Sequence, residues 1–287
     1  MSHEPGPLVS AEWVANNLER FSEREPEYRL VEVDSRPGLY DEAHIPGAVA
    51  LDWRGELQDS KTFDVVSRER LGRLLGERGI TPETTIVLYG DFYNWFAAHA
   101  YWLLRYYRHG SLCLLDGGRA YWRKQSFPMT DKKPDHPATT YEVPAPDESM
   151  RADRDAVGAA IDGPERLVDV RAPPEYRGEV LAPPGWNEGV QRGGHIPGAE
   201  NVPCRCATRG DRRFKSRARL ENVYEEYLED AVILYCRVGE RAALTWFVLH
   251  ELLGHEDVRY YYGSWIEWGN TVGLPVAQPS QADLRDR

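Results

Sequence analysis

Residues 236–241 read Cys-Arg-Val-Gly-Glu-Arg, a thiol followed by two arginines with a glycine between them. The stretch before it, DAVILYC, is a continuous apolar run bounded by polar residues, which predicts a strand buried on both faces. The Ala-, Trp- and Leu-rich stretch after it predicts a helix from about Ala242. Cys236 then stands at the carboxyl end of a strand, where parallel α/β sheets bind ligands. A short strand-to-helix loop turns successive backbone N–H groups inward as an anion-binding concavity. The helix that follows adds its positive N-terminal end. Arg237 and Arg241 bracket the loop. Each of these favours the thiolate, so the expected pKa of Cys236 is depressed from about 8.5 toward roughly 3.5–7.5. Gly239 allows the tight turn. The guanidinium groups suit the oxygens of a small sulfonate or phosphate dianion. The expected site is therefore Cys236 as nucleophile, with Arg237, Val238, Gly239, Glu240, Arg241 and Ala242 as the substrate-binding loop.

The other candidates read as structural. Cys113 lies in the apolar run LCLLD, which marks a core thiol. Cys204 and Cys206 form a CxC pair, but no second such pair and no paired histidine completes a zinc site. His44 and His195 both stand in an HIPGA segment, one copy of which belongs to the repeat without the strand-end cysteine, so they are expected to serve the turn. No metal and no organic cofactor is called for. Trp265 and Trp268, in YYYGSWIEW, read as core aromatics and as candidate walls of the pocket.

What must position the cysteine loop appears twice in the chain. LVEVD at 30–34 matches LVDVR at 167–171, HIPGA at 44–48 matches 195–199, and TTIVLYG at 84–90 matches DAVILYC at 230–236. LLDGGRAYW at 114–122 pairs with YYYGSWIEW at 260–268. Tyr89 to Trp122 and Tyr235 to Trp268 span the same number of positions. Where the second copy has Cys236 and its loop, the first has Gly90-Asp91-Phe92-Tyr93-Asn94-Trp95. The second copy also carries a longer insertion before HIPGA, EYRGEVLAPPGWNEGVQRGG, of the kind that loops absorb. Strands alternating with helices predict an α/β fold of two tandem domains, each a small, mostly parallel sheet flanked by helices. Residues 131–150 carry four prolines and little apolar periodicity, as a linker would. The expected division is 8–130, a linker at 131–150, and 151–278, with a ragged tail after Val276.

Composition narrows the rest. With 287 residues, 41% of them apolar, the chain can build two cores. No stretch approaches the roughly 20 consecutive apolar residues of a membrane helix. The N-terminal MSHEPGPLVSAEW lacks the pattern of a secretory signal. Four irregularly spaced cysteines are no disulfide framework, so a cytoplasmic protein is expected. A net charge of −11 argues against nucleic acid or an anionic membrane as partner. The basic stretch from Arg205 to Arg219, with Asp211 as its one acid, reads as a solvated loop or as an attractor of an anionic substrate or acidic partner.

The repeated HIPGA, the strand-end CRVGER loop and the GSWIEW segment together resemble the tandem-domain rhodanese family, over residues 8 to 276. The resemblance implies a catalytically inactive first domain and a second domain whose cysteine, here Cys236, forms a persulfide. The loop type Cys-Arg-x-Gly-x-Arg resembles that of thiosulfate sulfurtransferases, whereas mercaptopyruvate sulfurtransferases carry a less charged Cys-Gly-Ser-Gly loop. It implies a small anionic sulfur donor held by Arg237 and Arg241, and a cyanide, thiol or dithiol-protein acceptor. Ala242 departs from the Ser or Thr common in thiosulfate-specific members, and Glu175 stands where several eukaryotic-type members carry a substrate-binding arginine. 3-Mercaptopyruvate as donor is the competing reading. A phosphatase or arsenate reductase is a weaker one, since their loops hold one more residue between cysteine and arginine. A non-catalytic regulatory module is opposed by the intact Cys236 loop.

Overall fold

The computed structural model describes residues 5–24, 27–36, 38–186 and 189–278. It divides into two compact units, Met1–Asp147 with Thr208–Lys215, and Glu148–Ala207 with Ser216–Arg287. The expected tail beyond residue 278, and Asn187 and Glu188 of the insertion, lie outside the described residues.

Each unit is built on a five-stranded sheet in which every pairing is parallel. In unit 1 the strands are β1 (Leu8–Val9), β2 (Tyr28–Asp34), β3 (Ala48–Asp52), β4 (Thr85–Tyr89) and β5 (Leu112–Leu115), in the order β1-β5-β4-β2-β3. In unit 2 they are β6 (Arg151–Ala152), β7 (Arg166–Asp169), β8 (Glu200–Asn201), β9 (Val232–Tyr235) and β10 (Val258–Tyr261), in the order β6-β10-β9-β7-β8. The same order twice is the structural form of the sequence repeat. The central strands TIVLY and VILY are rich in β-branched side chains and almost wholly buried, as strands covered by helices on both faces must be. The helices start where short polar side chains cap them: Ser10 accepts from Trp13 N, Ser67 from Arg70 N and Asp153 from Ala156 N.

Each HIPGA segment, leading into the third strand of its sheet, is tied to the end of the fourth. The Tyr89 hydroxyl accepts from Ile45 N at 3.0 Å, and the Tyr235 hydroxyl accepts from Ile196 N at 3.1 Å. His44 stacks on Tyr40 with ring centroids 3.8 Å apart, and His195 stacks on Tyr176 at 3.7 Å. The Nδ1 atom of each histidine donates to the carbonyl of the same tyrosine, at 2.8 and 2.9 Å. Both histidines are thus part of the turn.

The proline-rich segment is laid along unit 1. Arg68 donates to the Val143 carbonyl through Nε at 3.0 Å and Nη2 at 2.6 Å, Thr139 N donates to Gly76 O, and Asp147 N donates to Tyr106 O. Tyr141 and Val143 are buried there, and Tyr141 meets His109 Nδ1 at 2.6 Å.

Part of the basic stretch is also folded onto unit 1. Thr208 and Phe214 form an antiparallel bridge, and Phe214 N donates to Asp116 Oδ1 at 2.9 Å. Arg213 binds Asp211 and lies over the Tyr121 ring at 4.4 Å. Arg212 lies over Tyr93 at 4.8 Å and meets Asp91 at 3.5 Å. These arginines face acids and aromatic rings of the same unit. Among the described residues no helix is long and apolar enough to cross a membrane.

Candidate active site

β9 delivers Cys236 to the carboxyl edge of its sheet, between β10 and β7, where the thiol is fully buried. The backbone around it is fastened from the segment after β10. Cys236 N donates to Ser264 Oγ at 3.3 Å, and Ser264 Oγ donates to Tyr261 O at 2.9 Å. Trp265 N donates to Cys236 O at 3.0 Å, and Ile266 N donates to Arg237 O at 2.9 Å.

The loop closes on the sulfur as the strand-to-helix geometry predicts. Gly239 N donates to Cys236 Sγ at 3.1 Å, and the backbone N–H groups of Arg241 and Ala242 also face it. Gly239 has φ +106°, and a Cβ there would lie 1.8 Å from the Tyr260 hydroxyl, so both conformation and space require glycine. Val238 is half-buried, while Ala242 is fully buried. The helix runs Glu240–Phe247, starting two residues before the expected Ala242, because Gly239 at its cap ends the turn there.

Three side chains sit differently from the sequence expectation. Arg241 is not open toward an anion. Its Nη1 and Nη2 bind the two oxygens of Glu175, and its Nε lies 3.3 Å from Glu240. Glu175 follows from the helix Pro173–Tyr176, and although burial alone would raise its pKa, the Arg241 bonds and charge hold it below the ordinary carboxylate range. Glu240 points inward: Cys236 Sγ donates to its Oε2 at 3.5 Å. Arg237 is buried, with its guanidinium over the Trp186 ring at 5.2 Å. Trp186 belongs to the insertion that distinguishes the second copy, a partner the loop sequence gave no sign of.

The thiol itself overturns an expectation. Its pKa is pushed up to about 11, not depressed. Burial is the main cause and the nearby Glu240 the second, against the smaller opposing pull of Arg241 and the loop amides. The charge of Arg241 is shared with two carboxylates, and the sulfur is removed from water. Ser264 and Tyr260 were also missed: each lies in an aromatic run that reads as core. Trp265 and Trp268 are core residues, their indole N–H groups bound to Arg192 O and Pro275 O. Cys113 and Cys204 are buried, and burial pushes both thiols up to about 12.

Unit 1 has no sulfur at the matching place. Gly90 follows β4, and a Cβ there would fall 2.2 Å from Val33 O. Asn94 occupies the loop from within: its Oδ1 accepts from Gly90 N at 2.9 Å and its Nδ2 donates to Leu115 O at 2.6 Å. Phe92, Tyr93 and Asn94 all have positive φ, an uncommon run for residues other than glycine. The buried charges beneath have also been rearranged. Glu32, on β2, pairs with Arg119 at 2.6 Å, whereas Asp169, at the same position of β7, pairs with Arg171 at 2.6 Å. Arg119 has its counterpart in Trp265, over whose ring Arg171 lies at 4.6 Å.

Comparison with known proteins agrees with this architecture. The model of the rhodanese-like domain matches residues 10–125 and again 153–271. A provisional thiosulfate sulfurtransferase of Haloferax volcanii is 49% identical over 272 residues, covering 94% of this chain and 95% of its own. The sulfur carrier protein TtuD of Thermus thermophilus is 44% identical over 282 residues, covering 96% and 97%. Among solved structures, EanB with a cysteine persulfide, in a tetrahedral intermediate state with ergothioneine, superposes with a TM-score of 0.82 at 27% identity, over 96% of this chain and 71% of that one. The chain belongs to the rhodanese family, as two tandem rhodanese-like domains.

Proposed function

We propose that this protein is a sulfurtransferase that moves a sulfane sulfur from thiosulfate to a thiophilic acceptor through a persulfide on Cys236. The observation that carries the reading is the Gly239 N–H donating to Cys236 Sγ at 3.1 Å, at the centre of a loop whose next amides face the same sulfur. A nucleophile so placed attacks the outer sulfur of thiosulfate. The new bond joins Sγ to that sulfur, and the bond to the sulfonate breaks, its electron pair leaving on sulfite. The persulfide is then cradled by the loop amides until an acceptor attacks its outer sulfur, with Cys236 thiolate as the leaving group. Arg237 and the loop amides hold the sulfonate oxygens in this scheme. Arg241 sets the loop's shape from behind, through Glu175.

The Haloferax volcanii relative's name supports thiosulfate as donor, and the name of TtuD, a sulfur carrier protein, supports a chain that holds the sulfur until cyanide, a small thiol or a dithiol protein takes it. Unit 1, with Gly90 in the cysteine position, serves as a non-catalytic partner in this scheme. All four cysteines are unpaired thiols, which favours a reducing compartment such as the cytoplasm. The test is intact mass after the reduced, desalted protein meets thiosulfate, beside its Cys236→Ser variant. Gain of one sulfur atom by the wild type alone is the expected result. Gain from 3-mercaptopyruvate but not from thiosulfate overturns the donor, and gain by Cys236→Ser overturns the nucleophile.

A further inference from the structure

We propose that Glu240 is a catalytic proton carrier of the sulfur transfer, taking the proton of Cys236 when the donor is attacked and giving it to the outer persulfide sulfur. This rests on the Cys236 persulfide reading and adds to it a residue that acts on the reacting atoms. The geometry is specific. Glu240 is buried, with Oε1 anchored 3.3 Å from Arg241 Nε and Oε2 left to meet Cys236 Sγ at 3.5 Å. A thiolate and a carboxylate at that separation, both out of water, do not carry charge together at small cost. Ionising the sulfur in contact with that carboxylate therefore hands its proton to Glu240 Oε2.

The groups that face the pair from other elements offer no alternative. Glu175, from the helix Pro173–Tyr176, has both oxygens bound by Arg241. Cys204, from the turn Cys204–Ala207, interacts with both Cys236 and Glu240, but burial pushes its thiol up to about 12. Tyr260, on β10, faces the same two groups, and burial raises its hydroxyl well above its ordinary value. Among the described residues, Glu240 is the remaining base in contact with the sulfur.

Chemistry supplies the reason for a carrier. Attack of the Cys236 sulfur on thiosulfate forms one S–S bond, breaks another and expels sulfite with the electron pair. The negative charge of the product sits on the outer sulfur. A cyanide ion or thiolate does not readily approach an anionic sulfur. Returning the captured proton from Glu240 makes that sulfur a neutral S–H and an electrophile. When the acceptor takes the sulfur, the proton leaves on it or returns to the Cys236–Glu240 pair, and the cycle closes without oxidant or reductant.

The experiment separates the two half-reactions in the full chain, comparing wild type with Glu240→Gln and Glu240→Asp. Persulfide formation is read by intact mass, and failure of the wild type there refutes the persulfide reading itself. The isolated persulfide is then discharged with cyanide in single turnover across neutral and alkaline pH, each rate corrected for cyanide ionisation. For the wild type we expect the corrected rate to fall as pH rises and the carried proton is lost. Glu240→Gln should discharge slower by roughly 10²-fold, in the range of general acid catalysis, and without that pH dependence. Iodoacetamide alkylation of its resting Cys236 should move to lower pH, because a like charge is gone. Glu240→Asp should restore the sloping profile. Discharge by Glu240→Gln at the wild-type rate, with the wild-type profile, overturns the proposal.

Discussion

Arg241 closes Nη1 and Nη2 on the two carboxylate oxygens of Glu175 at 2.7 and 3.0 Å, where the side chains are 4% and 1% exposed. A planar fork meeting a carboxylate in this way is the strongest form of the pair. It fixes the far end of the cysteine loop to the helix that follows β7. The second arginine of CRVGER is thereby a brace of the loop, which is why the proposed scheme gives donor recognition to Arg237 and the amides.

From this brace follows the first expectation. Glu175→Ala leaves a guanidinium buried without its carboxylate, and removing one partner of such a pair costs about 3–5 kcal/mol. Thermal unfolding should show a large drop. Replacing the whole buried cluster, as Glu175→Leu with Arg241→Met and Glu240→Gln, should recover much of the stability, since well-packed apolar groups often equal a buried ion pair and Glu240 would otherwise lose its own partner. A triple variant no more stable than Glu175→Ala would mean the loss came from something other than a stranded charge.

The second expectation concerns the resting sulfur. Burial and Glu240 push the Cys236 thiol up to about 11. A raised pKa keeps the proton on, so the reactivity of Cys236 appears only as pH climbs. Iodoacetamide alkylation of the desalted protein should keep accelerating through the pH where an ordinary thiol, at about 8.5, has levelled off. A plateau reached below neutral pH would show instead that the loop amides and arginines dominate.

The contrast between loop and sulfur shows what was legible beforehand. Strand positions, parallel pairing and the site of Cys236 all follow from short-range patterns repeated in two copies, such as LVEVD with LVDVR and TIVLY with VILY. The loop's glycine and its inward amides also follow, because a strand-to-helix turn of that length has few conformations. Glu175 was visible as a departure at its position, but its bond to Arg241 joins residues far apart in the chain. Ser264 and Tyr260 were hidden in an aromatic segment whose composition speaks only of burial. The ionisation of Cys236 was misread for a related reason: a list of charged neighbours gives neither the depth of the sulfur nor the direction in which each arginine points.

A third expectation tests why unit 1 lacks a nucleophile. Gly90→Cys, placed in a Cys236→Ser background, restores a cysteine at the end of β4. A Cβ at that position collides with Val33 O at 2.2 Å, and Asn94 already holds the loop's backbone. The variant should be less stable than its parent and gain no sulfur from thiosulfate by intact mass. Sulfur gain would mean the first loop is a working cradle that lacks only its thiol.

The last expectation concerns the basic stretch, for which partner recruitment and a solvated loop were both open. Its segment Thr208–Lys215 counts with unit 1 and is held by Phe214 N donating to Asp116 Oδ1 at 2.9 Å, by Arg213 over Tyr121, and by Arg212 near Asp91. Phe214 is buried, so losing that acceptor leaves a backbone N–H unpaired at a cost of about 1–3 kcal/mol. Proteolysis of a transiently open segment follows the population of its open form. Trypsin should therefore cut Asp116→Ala at Arg209, Arg212, Arg213 or Lys215 about tenfold faster than the wild type, or more. Asp116→Asn keeps an oxygen in place and should stay close to the wild-type rate. Equal cleavage of all three proteins would show that the bond to Asp116 does not hold the segment.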